Sequence, residues 1–495
     1  MAPQVYIVIC LCGVLFYWGT LGGHHTKGGL GIAFNSMHTY FYWVLCVFNF
    51  NREIGKKHEF GCILGNVVEQ FSIVAIGIVF DLKGFDRKCL VSMGNVCKMG
   101  AAGLKGKVLL ICSKPPFPSL DGGCKATASM LWLLSDCEME VDVLTFSTYK
   151  HGFFLEAFPA PWNGADRCWV LPMDTRPRLW DVWPFLFSRL SYQVLRFKRF
   201  SKREQKQVQQ RVGSNAYGLV IWDGLYSRAI YGVLEFAGSP KHVLRIHNIE
   251  HRIERFAKVP AIFRFLFRRE TERLAEFELE QWGQADEIWA MTELDLGEVT
   301  KAVSKRVELL PVPLKTEKRE LPGGAIRFFH IGAMDWMPNR EGLDWLLERV
   351  WPLVVEACPE AELHLAGRAF PEGYADGIKG VVVHGEVEDA EVFSSQHHVL
   401  VVPVRSGSGV RIKTVEAGLQ GRMVVSTLVG ADGLPQSVRS KLLEASQAKP
   451  FAAAMIWCFR HTEELPTKVS ELREAMFEFA GWDRAICTLK NALNP

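Results

Sequence analysis

The chain has 495 residues, of which 48% are hydrophobic and 22% charged, with a formal net charge of +3. That length exceeds one ordinary core and sets two domains as the default, with room for a third. The composition excludes a disordered chain, and the small net charge excludes a nucleic-acid protein held by a broad basic surface. The thirteen cysteines are scattered, with no CxxC pair, and no HExxH is present. A zinc or disulfide framework is therefore not expected, and a reducing cytoplasm is the simpler setting. His24-His25 and His397-His398 are adjacent pairs. Neighbours on a strand point to opposite faces and chelate poorly, so no metal is predicted.

The first hundred residues carry apolar runs at Val5–Trp18, Met37–Phe50 and Phe60–Phe80. Each is interrupted or short for a membrane span of about 20 residues. One Lys and no Arg, Asp or Glu precede Arg52, which is a poor match to a signal peptide. An uncleaved anchor competes with a poorly ordered extension or translated upstream sequence, and the last two are favoured. Gly100, Gly103 and Gly106 mark the boundary, and residues 1–104 are set apart as an apolar extension.

From Lys107 the pattern changes. KVLLICS reads as a buried strand of a parallel sheet. KPPFPSLDGGCKAT reads as a Pro/Gly loop, and ASMLWLLSD as the helix after it. Further strands are expected at VDVLTFS, GLVIWDG, HVLRIHN and DEIWAMT. Ile253–Trp282 reads as one or two helices, and the basic run Arg196–Lys206 as a solvated helix face; membrane-surface binding is the minority reading of that run. VELLPVPL ends the first unit, residues 105–315, with a hinge near residue 316. The second unit, 316–495, repeats the plan with strands IRFFHIG, ELHLAG, VVVHG, VLVVPV and MVVST. Two successive strand–loop–helix units predict an α/β chain of two doubly wound domains, with ligand-bearing loops at the strands' carboxyl ends.

The most telling stretch is Val399–Gly421, VLVVPVRSGSGVRIKTVEAGLQG. A buried strand enters a loop of Ser406, Gly407, Ser408 and Gly409, and a helix then opens with Arg411, Lys413 and Glu416. Free N–H groups, the positive end of the helix and two cations suit a multiply charged anion, most simply a diphosphate. The competing reading is a plain connection with a surface Lys413–Glu416 pair. A dinucleotide fingerprint fails, because Ile412 stands at the third glycine position. Asp121-Gly122-Gly123 is placed for close backbone approach to a ligand. His247 and Asn248 follow a strand's carboxyl end, where a site residue or a structural histidine fits equally well.

Several stretches resemble one enzyme family. HIGAMDWMPNREGLDWLLERVWPLV, ELHLAGR, VVVHGEVED, VLVVPVRSGSGVRIKTVEA and MVVSTLVGADGL are similar, in order, to the nucleotide-binding domain of the retaining glycosyltransferases of family four, often called group 1. KPPFPSLDGGCKAT, LVIWDGLYS and LRIHNIEHRIERFAK resemble the acceptor-side domain. FEFAGWDRAICTLKNAL resembles the closing helix that crosses back to the first domain. The resemblance implies a GT-B fold, two Rossmann-like domains facing across a cleft. It implies sugar transfer from a nucleoside-diphosphate sugar to a glycan or lipid-linked acceptor, without a metal or other cofactor and with room for peripheral membrane contact. By the same resemblance, Arg411, Lys413, Gly407, Ser408 and Gly409 would hold the diphosphate and Glu416 the ribose. His247 would stand by the transferred sugar as the catalytic residue, Gly122 and Gly123 would line the cleft near the phosphates, and Asn248 and Asn339 would line the cleft. Two features depart from the family pattern. Ser408 occupies the slot of a first glutamate, and the loop AMDWMPNRE lacks a clear basic pair. A non-catalytic nucleotide-sugar-binding protein is the rival reading.

Overall fold

The computed structural model describes residues 5–11, 14–17 and 43–49, and from Lys107 onward all but 177, 179–187, 254–260, 408 and 494–495. It divides into two units, Met1–Ala101 and Ala102–Pro495. In the first, β1 (Val5–Leu11), β2 (Val14–Tyr17) and β3 (Trp43–Asn49) form an antiparallel sheet in the order β2-β1-β3. These strands fall in two of the apolar runs, which were not expected to hold regular structure. The run Phe60–Phe80 and the glycine boundary lie outside the described residues.

The second unit holds two wholly parallel sheets. The first comprises β4 (Lys107–Cys112), β5 (Val141–Ser147), β6 (Cys168–Pro172), β7 (Tyr217–Asp223), β8 (Lys241–Ile246), β9 (Glu287–Ala290) and β10 (Arg306–Leu309). Its order is β10-β9-β8-β7-β4-β5-β6. The second comprises β11 (Arg327–Ile331), β12 (Glu362–Ala366), β13 (Val381–Gly385), β14 (Val399–Val402), β15 (Met423–Ser426) and β16 (Leu443–Glu444), in the order β13-β12-β11-β14-β15-β16. The chain reverses its direction of winding between β4 and β7 in one sheet and between β11 and β14 in the other. At such a switch point the loops diverge above the strands' carboxyl ends and leave a crevice for ligand.

Burial explains the strands. Leu109, Leu110 and Ile111 of β4 and all four residues of β14 are fully buried, as strands covered by helices on both faces must be. One face of the first sheet packs Leu109, Ile111, Phe146 and Trp222 against the helices beside it. The other packs Val108, Leu110 and Val143 against helix Gly122–Asp136. That helix begins earlier than the sequence suggested. Asp121 accepts a hydrogen bond from the Cys124 N–H at 2.9 Å and caps it, so Gly122 and Gly123 form its first turn and are not a loop.

In the second half, helix Met337–Trp345 runs through a π turn, Leu346–Val350, into helix Trp351–Ala357. The wider turn falls where Pro352 can donate no backbone hydrogen bond. After helix Leu465–Ala480 the chain crosses back. Ala485, Leu489, Ala492 and Leu493 of helix Trp482–Leu493 join the core of the first sheet, and the Trp482 indole N–H donates to Asp136 at 2.9 Å.

Candidate active site

The residues singled out in the sequence stand beyond the carboxyl ends of β4, β8, β11 and β14, in the connections and first helical turns that follow those strands. After β14, residues 403–410 lead into helix Ile412–Gln420, whose N-cap is Arg411 and whose C-cap, Gly421, is left-handed at φ 82°. The Lys413 ammonium donates to the Ile331 carbonyl at 3.0 Å, to Asn339 Oδ1 at 3.0 Å and to His330 Nε2 at 3.2 Å. His330 is fully buried, and its Nδ1 lies 2.8 Å from the Val401 carbonyl. A carbonyl can only accept, so Nδ1 carries the proton and Nε2 accepts from Lys413. All three ammonium hydrogens therefore meet neutral acceptors at the ends of β11 and helix Met337–Trp345. Burial first, and the neighbouring Arg411 cation second, push Lys413 down to about 7. The Arg411 guanidinium lies 5.3 Å from the Trp336 ring centre, and burial lowers it as well, partly offset by Asp432.

Asn339 is buried in the first turn of its helix, not in a loop as expected, and donates to the Ala333 carbonyl at 2.9 Å. Two cations thus sit at a helix N-terminus, and the partners found for Lys413 are all uncharged. Such an arrangement favours an anion.

In the first half the organising group is Asp223, the last residue of β7. It is almost wholly buried and accepts from Arg245 Nη1 at 2.8 Å, from His247 Nε2 at 2.9 Å and from the Thr127 hydroxyl. Burial alone would raise this carboxyl. His247 and Arg245 outweigh it and hold Asp223 well below the usual carboxylate range. An anionic Asp223 can only accept, so the His247 Nε2 that faces it carries a proton and the ring orientation is fixed. The following turn is fixed by Glu278, which accepts from the Glu250 and His251 N–H groups and lies 2.7 Å from His251 Nδ1. Asp223, Arg245, Thr127, His330 and Glu278 were not singled out from the sequence.

Asp121, besides capping its helix, accepts from Lys114 at 2.7 Å and lies 2.9 Å from His151 Nε2. Burial would raise its carboxyl, but these bonds hold it far below the ordinary range.

The two halves touch at these same places. Ile412 packs with Ala126, Met291 and Val312 of the first half, and a Cβ on Gly122 would lie 3.6 Å from Ile412 Cδ1. Glu416 accepts from Lys125 at 2.7 Å, so the carboxylate assigned to a ribose is held here by a cation of the opposite half. It forms no ion pair with Lys413. Gly409 has φ 82°, and a Cβ there would stand 2.1 Å from Asn248 Oδ1. Gly407 shares the left-handed conformation at φ 104°, and Ser408 lies outside the described residues. Gly409→Ala is expected to lower kcat/KM about tenfold or more, since a left-handed non-glycine residue costs about 1–3 kcal/mol before the clash is counted. Steady-state kinetics beside a melting curve check this; unchanged kinetics would show that Gly409 need not approach Asn248.

The fold is that of the GT-B glycosyltransferases, two Rossmann-like parallel-sheet domains. Residues 325–461 match the family model described as "Glycosyl transferases group 1". Solved structures sharing the fold include the sucrose-phosphate synthase of Thermosynechococcus elongatus, at 16% identity and a TM-score of 0.56, covering 78% of this chain and 98% of that one. TarM of S. aureus, solved with UDP, Fondaparinux and alpha-GlcNAc-glycerol, aligns at 12% identity with a TM-score of 0.53, over 79% of this chain and 100% of that one. Among curated proteins, an uncharacterized 44.6 kDa protein in the cps region of Klebsiella pneumoniae is 24% identical over 176 residues. That match spans 33% of this chain and 43% of the relative's length, less than half of it. No helix among the described residues is long and apolar enough to cross a membrane.

Proposed function

We propose that the chain is a retaining glycosyltransferase that moves a sugar from a nucleoside-diphosphate sugar to an acceptor hydroxyl in glycan or polysaccharide synthesis. The observation that carries this reading is the pair of cations at the start of helix Ile412–Gln420, with Lys413 held only by neutral acceptors. A departing diphosphate develops charge, and fixed cations at a helix N-terminus stabilise it without a metal. His247, oriented by Asp223, would face the sugar, whose transition state has oxocarbenium character as in glycoside hydrolysis. Closure of the two halves would exclude water and suppress hydrolysis of the donor. The presence of UDP in the TarM structure makes UDP-sugars the first donors to test. The setting of the Klebsiella relative in a cps region favours a polysaccharide acceptor, and the scattered cysteines suit a reducing cytoplasm.

In this reading the Lys125–Glu416 pair must open before a ribose can occupy Glu416. Glu416→Ala is expected to weaken UDP-sugar binding at least tenfold. Lys125→Ala is expected to leave binding unchanged or tighten it severalfold, because an exposed or half-exposed pair is worth at most about 1 kcal/mol. Calorimetric titration of both variants with UDP-glucose checks this. Equal weakening in the two variants would mean that the pair builds the site and does not block it.

A further inference from the structure

One edge of the second sheet holds a cluster that sugar transfer does not use. His364 on β12, His384 on the edge strand β13 and His397 after helix Ala390–Ser395 each bring one ring nitrogen within 4.8 Å of the other two. His364 Nδ1 stands 3.0 Å from His384 Nε2, and the His364 and His397 ring centres are 4.5 Å apart. The outward nitrogens are engaged. His364 Nε2 lies 3.3 Å from Glu362 Oε2, and His397 Nδ1 lies 2.7 Å from the Phe393 carbonyl. Each of these oxygens accepts from the ring N–H facing it, which leaves His364 Nδ1 and His397 Nε2 with lone pairs. His384 Nε2–H then donates to His364 Nδ1, and His384 ligates by moving that proton to its own Nδ1. A carboxylate behind one histidine and a backbone carbonyl behind another is the outer shell that fixes the tautomer of metal-binding imidazoles.

We infer that His364, His384 and His397 form a site for a zinc-class divalent cation, completed by water on the open side. Imidazole sets suit Zn²⁺, Cu²⁺ and Ni²⁺ over Mg²⁺ or Ca²⁺. Zn–N bonds of about 2.0–2.1 Å in a tetrahedral site place the nitrogens about 3.3 Å apart. The His364–His384 spacing is close to that, and the widest spacing needs an inward rotation of one ring. His384 is exposed, His364 half-buried and His397 buried, so the cluster has a floor, a solvent mouth and one ring free to turn. The cation would tie the edge strand β13 to β12 and to the segment after helix Ala390–Ser395. The site is separate from the donor groups, and its role is to brace the sheet edge.

The test is titration of the chelator-treated full chain with Zn²⁺, and with Co²⁺ followed by absorption. One equivalent should bind, raise the melting temperature and be lost in His384→Ala. Because that side chain is exposed, the variant's metal-free melting temperature should match the parent. A second group, Asp121, Cys124 and His151, also comes within 4.8 Å, and the cysteines could take up metal too. A thiolate-to-cobalt charge-transfer band would reveal either. Binding at the histidine cluster gives no such band and survives Cys124→Ser. Failure to bind Zn²⁺, or binding indifferent to His384→Ala, overturns the proposal.

Discussion

Lys413→Ala is expected to lower kcat/KM by about 10²–10³-fold, the range seen when one preorganised charge-stabilising donor is removed, or about 3–4 kcal/mol. The effect is large because the ammonium is already fixed by Ile331, Asn339 and His330. An incoming diphosphate meets a cation already held in place and takes an N–H from it by displacing one of these neutral acceptors. Arg411→Ala should also lose most transfer activity. The same ammonium sets a pH dependence. Its free-state value of about 7 means that it is charged below neutrality and discharges above it. A nucleotide sugar has no titrating phosphate in that range, so UDP-glucose affinity should fall as pH rises above about 7, by up to tenfold per unit. It should level off where the bound-state value is reached. Lys413→Arg keeps its charge throughout and should flatten the profile. An unchanged profile in Lys413→Arg, or near-normal turnover in Lys413→Ala, contradicts the assignment. A melting curve on each variant separates loss of site from loss of fold.

The second large effect is on stability. Asp223→Ala leaves the Arg245 guanidinium, fully buried, with the Ala126 carbonyl as its remaining partner. Breaking a buried ion pair from one side costs about 3–5 kcal/mol. Asp223→Asn preserves shape and should cost less, while releasing the His247 ring from its fixed tautomer. The pH sign follows from the lowered carboxyl. Its folded value lies below the unfolded value of about 3.9. Its stabilisation is therefore present above that value and is lost as the pH falls through the folded one. Unfolding curves for the parent and both variants at neutral pH check the order parent, Asn, Ala. An alanine variant as stable as the parent would show that Arg245 finds another partner.

The sheets were legible because strands buried on both faces must be written in β-branched and aliphatic residues, as KVLLIC and VLVV are. β6 was missed because CWVLP mixes Trp, Cys and Pro, and β16 because two residues carry no period. The start of helix Gly122–Asp136 was misplaced because two glycines read as a loop, although Asp121 before them was a capping signal. At the site, Lys413, Arg411 and His247 were singled out from their places after strands, and Asn339 through the family resemblance. Their partners were not. Asp223 accepts from Arg245 on β8 and Thr127 on helix Gly122–Asp136, and Lys125 meets Glu416 across 291 positions of sequence. No local pattern encodes such contacts. The histidines show the same limit. Adjacent His397 and His398 do turn apart, and His398 bonds the Arg327 N–H and Pro322 carbonyl. What gathers His397 with His364 and His384 is the pairing of β12 with β13 and the fold of the following helix.

The most direct test of the donor site is release of nucleotide from a panel of nucleoside-diphosphate sugars by the full chain, with and without acceptor hydroxyls. One donor class should be consumed, with the anomeric configuration kept in the product and turnover abolished in Lys413→Ala. No donor binding or turnover across the panel, or turnover that survives Lys413→Ala in a folded variant, would contradict the donor-site assignment.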